Sequence, residues 1–413
     1  MPLNTAPVRS AGGAPVSTSL SSELLGGLDV GAIFAHDSVV RARYPIGTFW
    51  PSALQEKLLI VALGDCQTAV TTWQELRPRI SLDELELGSF ELLPLIYRNL
   101  SLGGHADADL PRLKGVYRRS WVKNNLLSER TKEIHEILAE IGIQAVFIEG
   151  VLLASRFYPT LGLRPTSSID VLVDGDDEAA ALAELARAGW KEKRSPPPGR
   201  VRLRHLYQKD GQVCVFRTRL AVDFMKLAGR RRESLREAID RYTVVGVEVR
   251  VPRPAETLFA ICVLHARPEG VPNIQWIADA KMVLGAEIDW HRLLALADES
   301  RQILRLQAAL DYLAGLPGST PSQEARDRLA EVKVTKRERI AYICTAGSIW
   351  GSGPLSSLIA EHVSATESQS ILDTTATIPS FLRDRWNLDH TWQVPVAAGR
   401  RAMRPFRARR RAV

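Results

Sequence analysis

The stretch Ile148–Val173, IEGVLLASRFYPTLGLRPTSSIDVLV, constrains this chain more than any other. An apolar run ends at Ile148, Glu149-Gly150 breaks it, and Val151–Tyr158 has the pattern of a two-turn helix. Ile169–Val173 then reads as a second strand carrying one acid, Asp170. Residues two apart on a strand share a face, so Ser168 and Asp170 point the same way.

The sequence on either side has another character. Pro51–Asp65 and Cys66–Leu76 read as helices, and so does Ser81–Asn99, with Ser81 as N-cap and Asp83 and Glu84 in the first turn. Pro111–Ile141 is a long helix that Gly142 stops. Gln144–Ile148 is a short strand, and Ala179–Ala188 is a helix closed by Gly189. Beyond the break at Pro196–Gly199, Arg204–Gln208 and Val213–Phe216 form a hairpin about Asp210-Gly211. Leu220–Met225 is a strand carrying Asp223, Ser234–Asp240 a short helix, and Thr243–Val251 another ribbon. From Pro254 the pattern is helical again through Val363, and the Ser/Thr-rich Ser364–Pro379 reads as a linker or surface loop. The expected class is therefore α/β (α+β): a small mixed-sheet core, 144–252, flanked by helical regions at 28–143 and 253–363. Residues 1–27 read as a disordered leader and 364–413 as linker and basic tail.

Composition narrows the setting. Apolar residues make up 45% of the chain and charged ones 24%, enough to bury a real core. No apolar run reaches bilayer length, and the N-terminus lacks the pattern of a secretory signal. Cys66, Cys214, Cys262 and Cys344 lie far apart in apolar runs, which suits buried small hydrophobes in a reducing cytoplasm. The net charge of +7 sits in Gly399–Val413, which holds seven arginines and no acid. Such a tail could touch an anionic partner, nucleic acid or membrane, or simply be solvated.

The chemistry-bearing residues gather around Asp170. Two carboxylates side by side on a strand, joined by a third from a neighbouring strand, make a hard-oxygen site for Mg²⁺. Here the set is Ser168, Asp170 and Asp223, two carboxylates and a hydroxyl. Asp174, Asp176 and Asp177 read as turn and N-cap. His265 reads as a packed helix residue, and Trp276 and Asp279 as packing or inter-helix contacts.

These pieces resemble the core of a bacterial nucleotidyltransferase family within the DNA polymerase beta-like superfamily. The family's Lys-Gly, Arg and Asp-Ile-Asp correspond to Glu149-Gly150, Arg164 and Ser168-Ile169-Asp170, and its third acid to Asp223. Phe90–Leu100, Glu256–Ala266, Ile274–Leu284 and Asp289–Ala297 resemble its flanking helices, so the likeness covers roughly 50–350. It implies transfer of a nucleoside monophosphate from an NTP to a hydroxyl-type acceptor, with Mg²⁺ held by Asp170 and Asp223. Gly150 and Ser168 would border the phosphates. Arg164 would contact phosphate or brace the strand. Glu149 stands where the family has Lys and would either replace the carboxylate missing at Ser168 or weaken nucleotide affinity. The alternative is a catalytically impaired descendant that binds a nucleotide, sugar phosphate or protein in the same cleft.

Overall fold

The computed structural model describes residues 50–106, 108–192, 203–207, 213–217, 238–264, 274–336, 338–339, 342, 362, 371–386 and 388–402. Asp223, His265, Cys344, the Leu220–Met225 strand and most of the basic tail lie outside these.

The first helices are set by their caps. α1 (Ala53–Leu63) begins with a reciprocal pair: the Gln55 amide donates to Ser52 Oγ at 3.3 Å and the Ser52 amide to Gln55 Oε1 at 2.8 Å. α2 (Cys66–Leu76) begins at Asp65, whose carboxylate accepts from the Thr68 and Gln67 amides. The Thr68 contacts hold that carboxyl below its usual pKa.

The helix expected over Ser81–Asn99 is split and starts later. Leu87–Phe90 is one short turn, and α3 (Leu93–Leu102) begins afresh with Pro94 in its first turn. The cap is Glu86, whose Oε1 accepts from the Ser89 amide at 3.1 Å and from the Gln55 side chain at 2.6 Å. That second bond comes from α1, so a tertiary contact overrides the local cap signal at Ser81.

α4 (Leu110–Glu140) has 31 residues and is about 46 Å long. Leu113 joins a helical core, while Leu127, Ile134 and Leu138 join the core under the sheet. One helix thus spans both.

β1 (Val146–Ile148), α5 (Gly150–Phe157) and β2 (Ile169–Leu172) follow as the sequence suggests. α6 (Glu178–Arg187) leads to β3 (Lys191–Glu192), then β4 (Leu203–Tyr207) and β5 (Val213–Arg217) form the hairpin. β6 (Ile239–Val244) and β7 (Val247–Pro252) form the second ribbon, turning at Val245 (φ 47°) and Gly246 (φ 78°). Ile239 and Asp240 therefore extend rather than coil, because they pair with Pro252 and Val251.

The seven strands run in the order β3-β4-β5-β2-β1-β7-β6. β1 pairs antiparallel with β2 and parallel with β7, and β5 joins β2 in parallel. On one face Phe147, Ile169, Val171 and Val173 pack with Leu127, Ile134 and Leu138 of α4 and Ala181 and Leu185 of α6. On the other, Val146, Ile148 and Leu172 form a small cluster edged by Ile239.

The C-terminal helices are α7 (Pro254–Leu264), α8 (Gln275–Val283), α9 (Trp290–Glu299), α10 (Ile303–Ala314) and α11 (Gln323–Glu331). They share one core with α1–α3: Leu58, Trp73 and Ile96 belong to the same buried cluster as Phe259, Trp276 and Leu310. The two helical stretches, separate in sequence, are one body in space.

α12 (Ile371–Trp386) and α13 (Gln393–Ala402) complete the described elements. Over Ile371–Pro379, α12 corrects the loop expected for Ser364–Pro379; residues 364–370 lie outside the described ones. Thr377 and Phe381, four apart, both meet His362: a hydrogen bond of 2.9 Å and a stacked ring at 4.6 Å. Packing outweighs the Ser/Thr bias and even Pro379 within the helix.

Among the described residues no helix is long and apolar enough to cross a membrane. Cys214 and Cys262 are buried free thiols, and burial pushes their pKa well up.

Candidate functional site

The turn from β1 to α5 is built from two residues with positive φ, Glu149 at 51° and Gly150 at 55°. At Gly150 the geometry leaves no choice. A Cβ there would lie 2.6 Å from Ser168 O and 3.3 Å from Asp170 Oδ2. Only glycine lets the backbone come this close. Glu149, at φ 51° and ψ −158°, occupies a region otherwise left to glycine; it costs about 1–3 kcal/mol for an L-residue and persists where the surroundings impose it. It lines a small cleft with Ile148, Leu153, Pro252, Thr257, Ala260 and Ile261.

Asp170 stands beside this turn. It is 4% exposed, lies opposite Ile148 on β1, and Ser168 Oγ donates to its Oδ2 at 3.0 Å. Ser168 and Asp170 thus share a face, as strand alternation requires. On the other side, Asp170 is in register with Val215 of β5, a buried apolar residue. The structure brings Glu149, Gly150, Ser168 and Asp170 to one end of the β1–β2 pair; Asp223 is outside the described residues.

Arg164 sits behind the turn. Its Nε and Nη2 donate to Asp279 Oδ1 and Oδ2 at 2.7 and 2.8 Å, and Nη1 donates to Thr166 Oγ1 (3.0 Å) and Gly150 O (3.2 Å). The loop that presents it is held by Asn124 of α4, whose side-chain amide donates to Leu161 O and Arg164 O. Burial opposes the charge on Arg164, but the Asp279 carboxylate outweighs it and keeps the pKa above the ordinary value. With these partners the guanidinium is a brace between the site's turn and α8.

Sequence reasoning undervalued this buried set. Asp279 showed as one acid in an apolar helix, and that was the available signal. Tyr158 donates its hydroxyl to Asp279 Oδ1 at 2.6 Å, and Gln275 Nε2 to Tyr158 at 3.2 Å. Burial and the Asp279 charge push the Tyr158 pKa well up. Glu91 completes the group. Burial raises its pKa to about 7, with Arg164 opposing the rise and Asp279 adding to it. The acids after β2 form a turn, with the Asp176 amide near Asp174 Oδ1 (3.5 Å). Asp177 takes the N-cap position of α6 without a side-chain cap bond.

Residues 89–316 match the model of a family described as uncharacterised nucleotidyltransferase, a span of more than half the chain. The chain belongs to this family. Among solved structures it is similar to an antigenic nucleotidyltransferase-like protein from Paracoccidioides brasiliensis, at 15% identity and a TM-score of 0.31. That similarity covers 51% of this chain and 93% of the other, and is too loose to argue from. No curated protein matches.

Nucleotidyltransferases generally work with divalent cations, and the donors here can be weighed against that need. Asp170 and Ser168 offer hard oxygens only. One carboxylate, substrate phosphates and waters make a sufficient shell for one Mg²⁺. Among the described residues no group of three or more His, Cys, Asp or Glu gathers into a metal site. A second cation would need Asp223 or another acid beyond them.

Proposed function

We propose that this family member binds an NTP at the end of the β1–β2 pair and transfers its nucleoside monophosphate to a hydroxyl-type acceptor. The reading is carried by the seating of Gly150 on Asp170. There the backbone of a helix's first residue meets a carboxylate, where a triphosphate and its cation could be handled together. Asp170 would hold Mg²⁺, with Asp223 as the second carboxylate. Bound there, the cation would neutralise triphosphate charge and ease departure of pyrophosphate. The chain's own part is positional. Ser168 fixes the Asp170 rotamer, Gly150 borders the phosphates, Arg164 steadies the turn, and Glu149 supplies the carboxylate missing at position 168.

A second reading is a retired centre that keeps its cleft for a nucleotide, sugar phosphate or protein partner. It is favoured by Val215, which stands in register beside Asp170 where an acid would strengthen the site. Calorimetry of ATP with and without Mg²⁺, on wild type, Ser168→Asp and Ser168→Asp/Glu149→Lys, separates the two. The transfer reading expects Mg²⁺-dependent binding by wild type, tighter in Ser168→Asp because ligand charge sets affinity for hard cations. It also expects turnover that Glu149→Gln abolishes. Binding without turnover would select the retired centre. No ATP binding by any variant would overturn the transfer reading and leave the retired centre, with a sugar phosphate or protein as its ligand.

A further inference from the structure

We infer that Asp279, far from Gly150 in sequence, is a positioning residue for the site: acting through Arg164, it locks the first turn of α5. The inference rests on the proposed nucleotide site and says what keeps that site in shape.

The geometry has three parts. Asp279 is 2% exposed and grips Arg164 with both oxygens, which fixes the plane of a rigid guanidinium. With Nε and Nη2 held, Nη1 is aimed at Gly150 O and Thr166 Oγ1. Gly150 is the first residue of α5, and Tyr158, its C-cap, donates to the same Asp279. One carboxylate therefore holds α5 at both ends. Arg156 and Ser155 tie the same helix to Pro252, Asp240 and Tyr242, so the Asp279 clamp adds to an existing attachment.

The clamp matters because the turn has no slack. A group as small as a methyl cannot enter between Gly150 and Ser168 O. Any side chain at this position would push the turn away from Ser168 and Asp170. Binding constellations tolerate displacements of only about 0.5 Å.

A merely structural role would make Asp279 interchangeable with any buried residue of the helical core. Leu310, fully buried in α10, is the comparison. Asp279→Asn and Leu310→Ala are compared by hydrogen exchange over α5 and by calorimetry with Mg²⁺-ATP, at temperatures where both are folded. Asp279→Asn should speed α5 exchange relative to the rest of the protein and weaken Mg²⁺-ATP binding about tenfold, the loss of one charge-assisted bond. Leu310→Ala should leave both unchanged. Tyr158→Phe, which releases only the C-terminal hold, should speed α5 exchange with a smaller loss of ATP affinity. It carries the comparison if Asp279→Asn does not fold. Equal effects of Asp279→Asn and Leu310→Ala, or of Tyr158→Phe and Leu310→Ala, would overturn the inference. Selective loosening of α5 in a protein whose wild type binds no ATP would sustain the clamp and overturn the nucleotide reading instead.

Discussion

The two faces of the sheet are built to different standards. Among the described residues, Phe147, Ile169, Val171 and Val173 enter a buried cluster of nineteen side chains roofed by α4 and α6. Their neighbours on the opposite face, Val146, Ile148 and Leu172, form a cluster of three, and this is the face that carries Asp170. The thick face supplies the burial that holds the strands together. The thin face can then hold a carboxylate 4% exposed beside a strained turn. A sheet stabilised from one side can carry a buried polar group on the other.

The sharpest way to break this contrast is to cut side chains from each face. Phe147→Ala should cost about 3–5 kcal/mol, and Leu172→Ala about 2 kcal/mol, because the smaller cluster can relax around the gap. Urea unfolding of both variants would measure the difference. Equal costs would mean that the thin face is as tightly built as the thick one.

A second test concerns an acid that belongs with the closed part of the molecule. The Glu91 pKa is raised from 4.5 to about 7, chiefly by burial. The folded state thus binds more protons than the unfolded chain between those values. The contribution of Glu91 to stability is fully present below pH 4.5 and is lost as pH rises through 7. Glu91→Gln should therefore match wild type near pH 4.5 and exceed it at pH 8 by about 1–3 kcal/mol. Thermal melts across that range would show a flatter profile for the variant. An unchanged slope would place the charge of Glu91 in solvent.

The smallest effect on stability is expected on the thin face itself. Asp170→Asn keeps an acceptor for the Ser168 hydroxyl and should cost about 1 kcal/mol or less. On the proposed reading it should also remove Mg²⁺-dependent ATP binding. A large loss of stability would make Asp170 a scaffold residue after all.

The sequence disclosed the strand-turn-helix-strand unit and both ribbons because alternation and turn residues are local signals. The same locality explains what it hid. Ser81 looked like a cap, but Glu86 won because Gln55 reaches it from α1. Ile371–Pro379 looked like loop but is helix, and Thr377 and Phe381 of that helix meet His362. Nothing local marks Arg164 and Asp279 as partners, because a planar fork meeting a carboxylate is visible only once the chain has folded. In the candidate site, the shared face of Ser168 and Asp170 was legible from strand alternation, while Gly150 came from the resemblance. Val215 beside Asp170 was not, since sheet order is set by packing rather than by pattern.

The grip of Asp279 on Arg164 joins residues 115 positions apart. Closing a loop of that length is entropically expensive and slow, and the reward arrives only when both ends are present. During synthesis, β1, α5 and β2 leave the ribosome well before α8 does. The β1–β2 pair can form early, but the first turn of α5 must wait for a helix made much later. A chain halted before Gln275 would carry its acid without the lock that aims the turn toward it. On the proposed clamp, the final shape of this turn is tied to completion of the C-terminal helices.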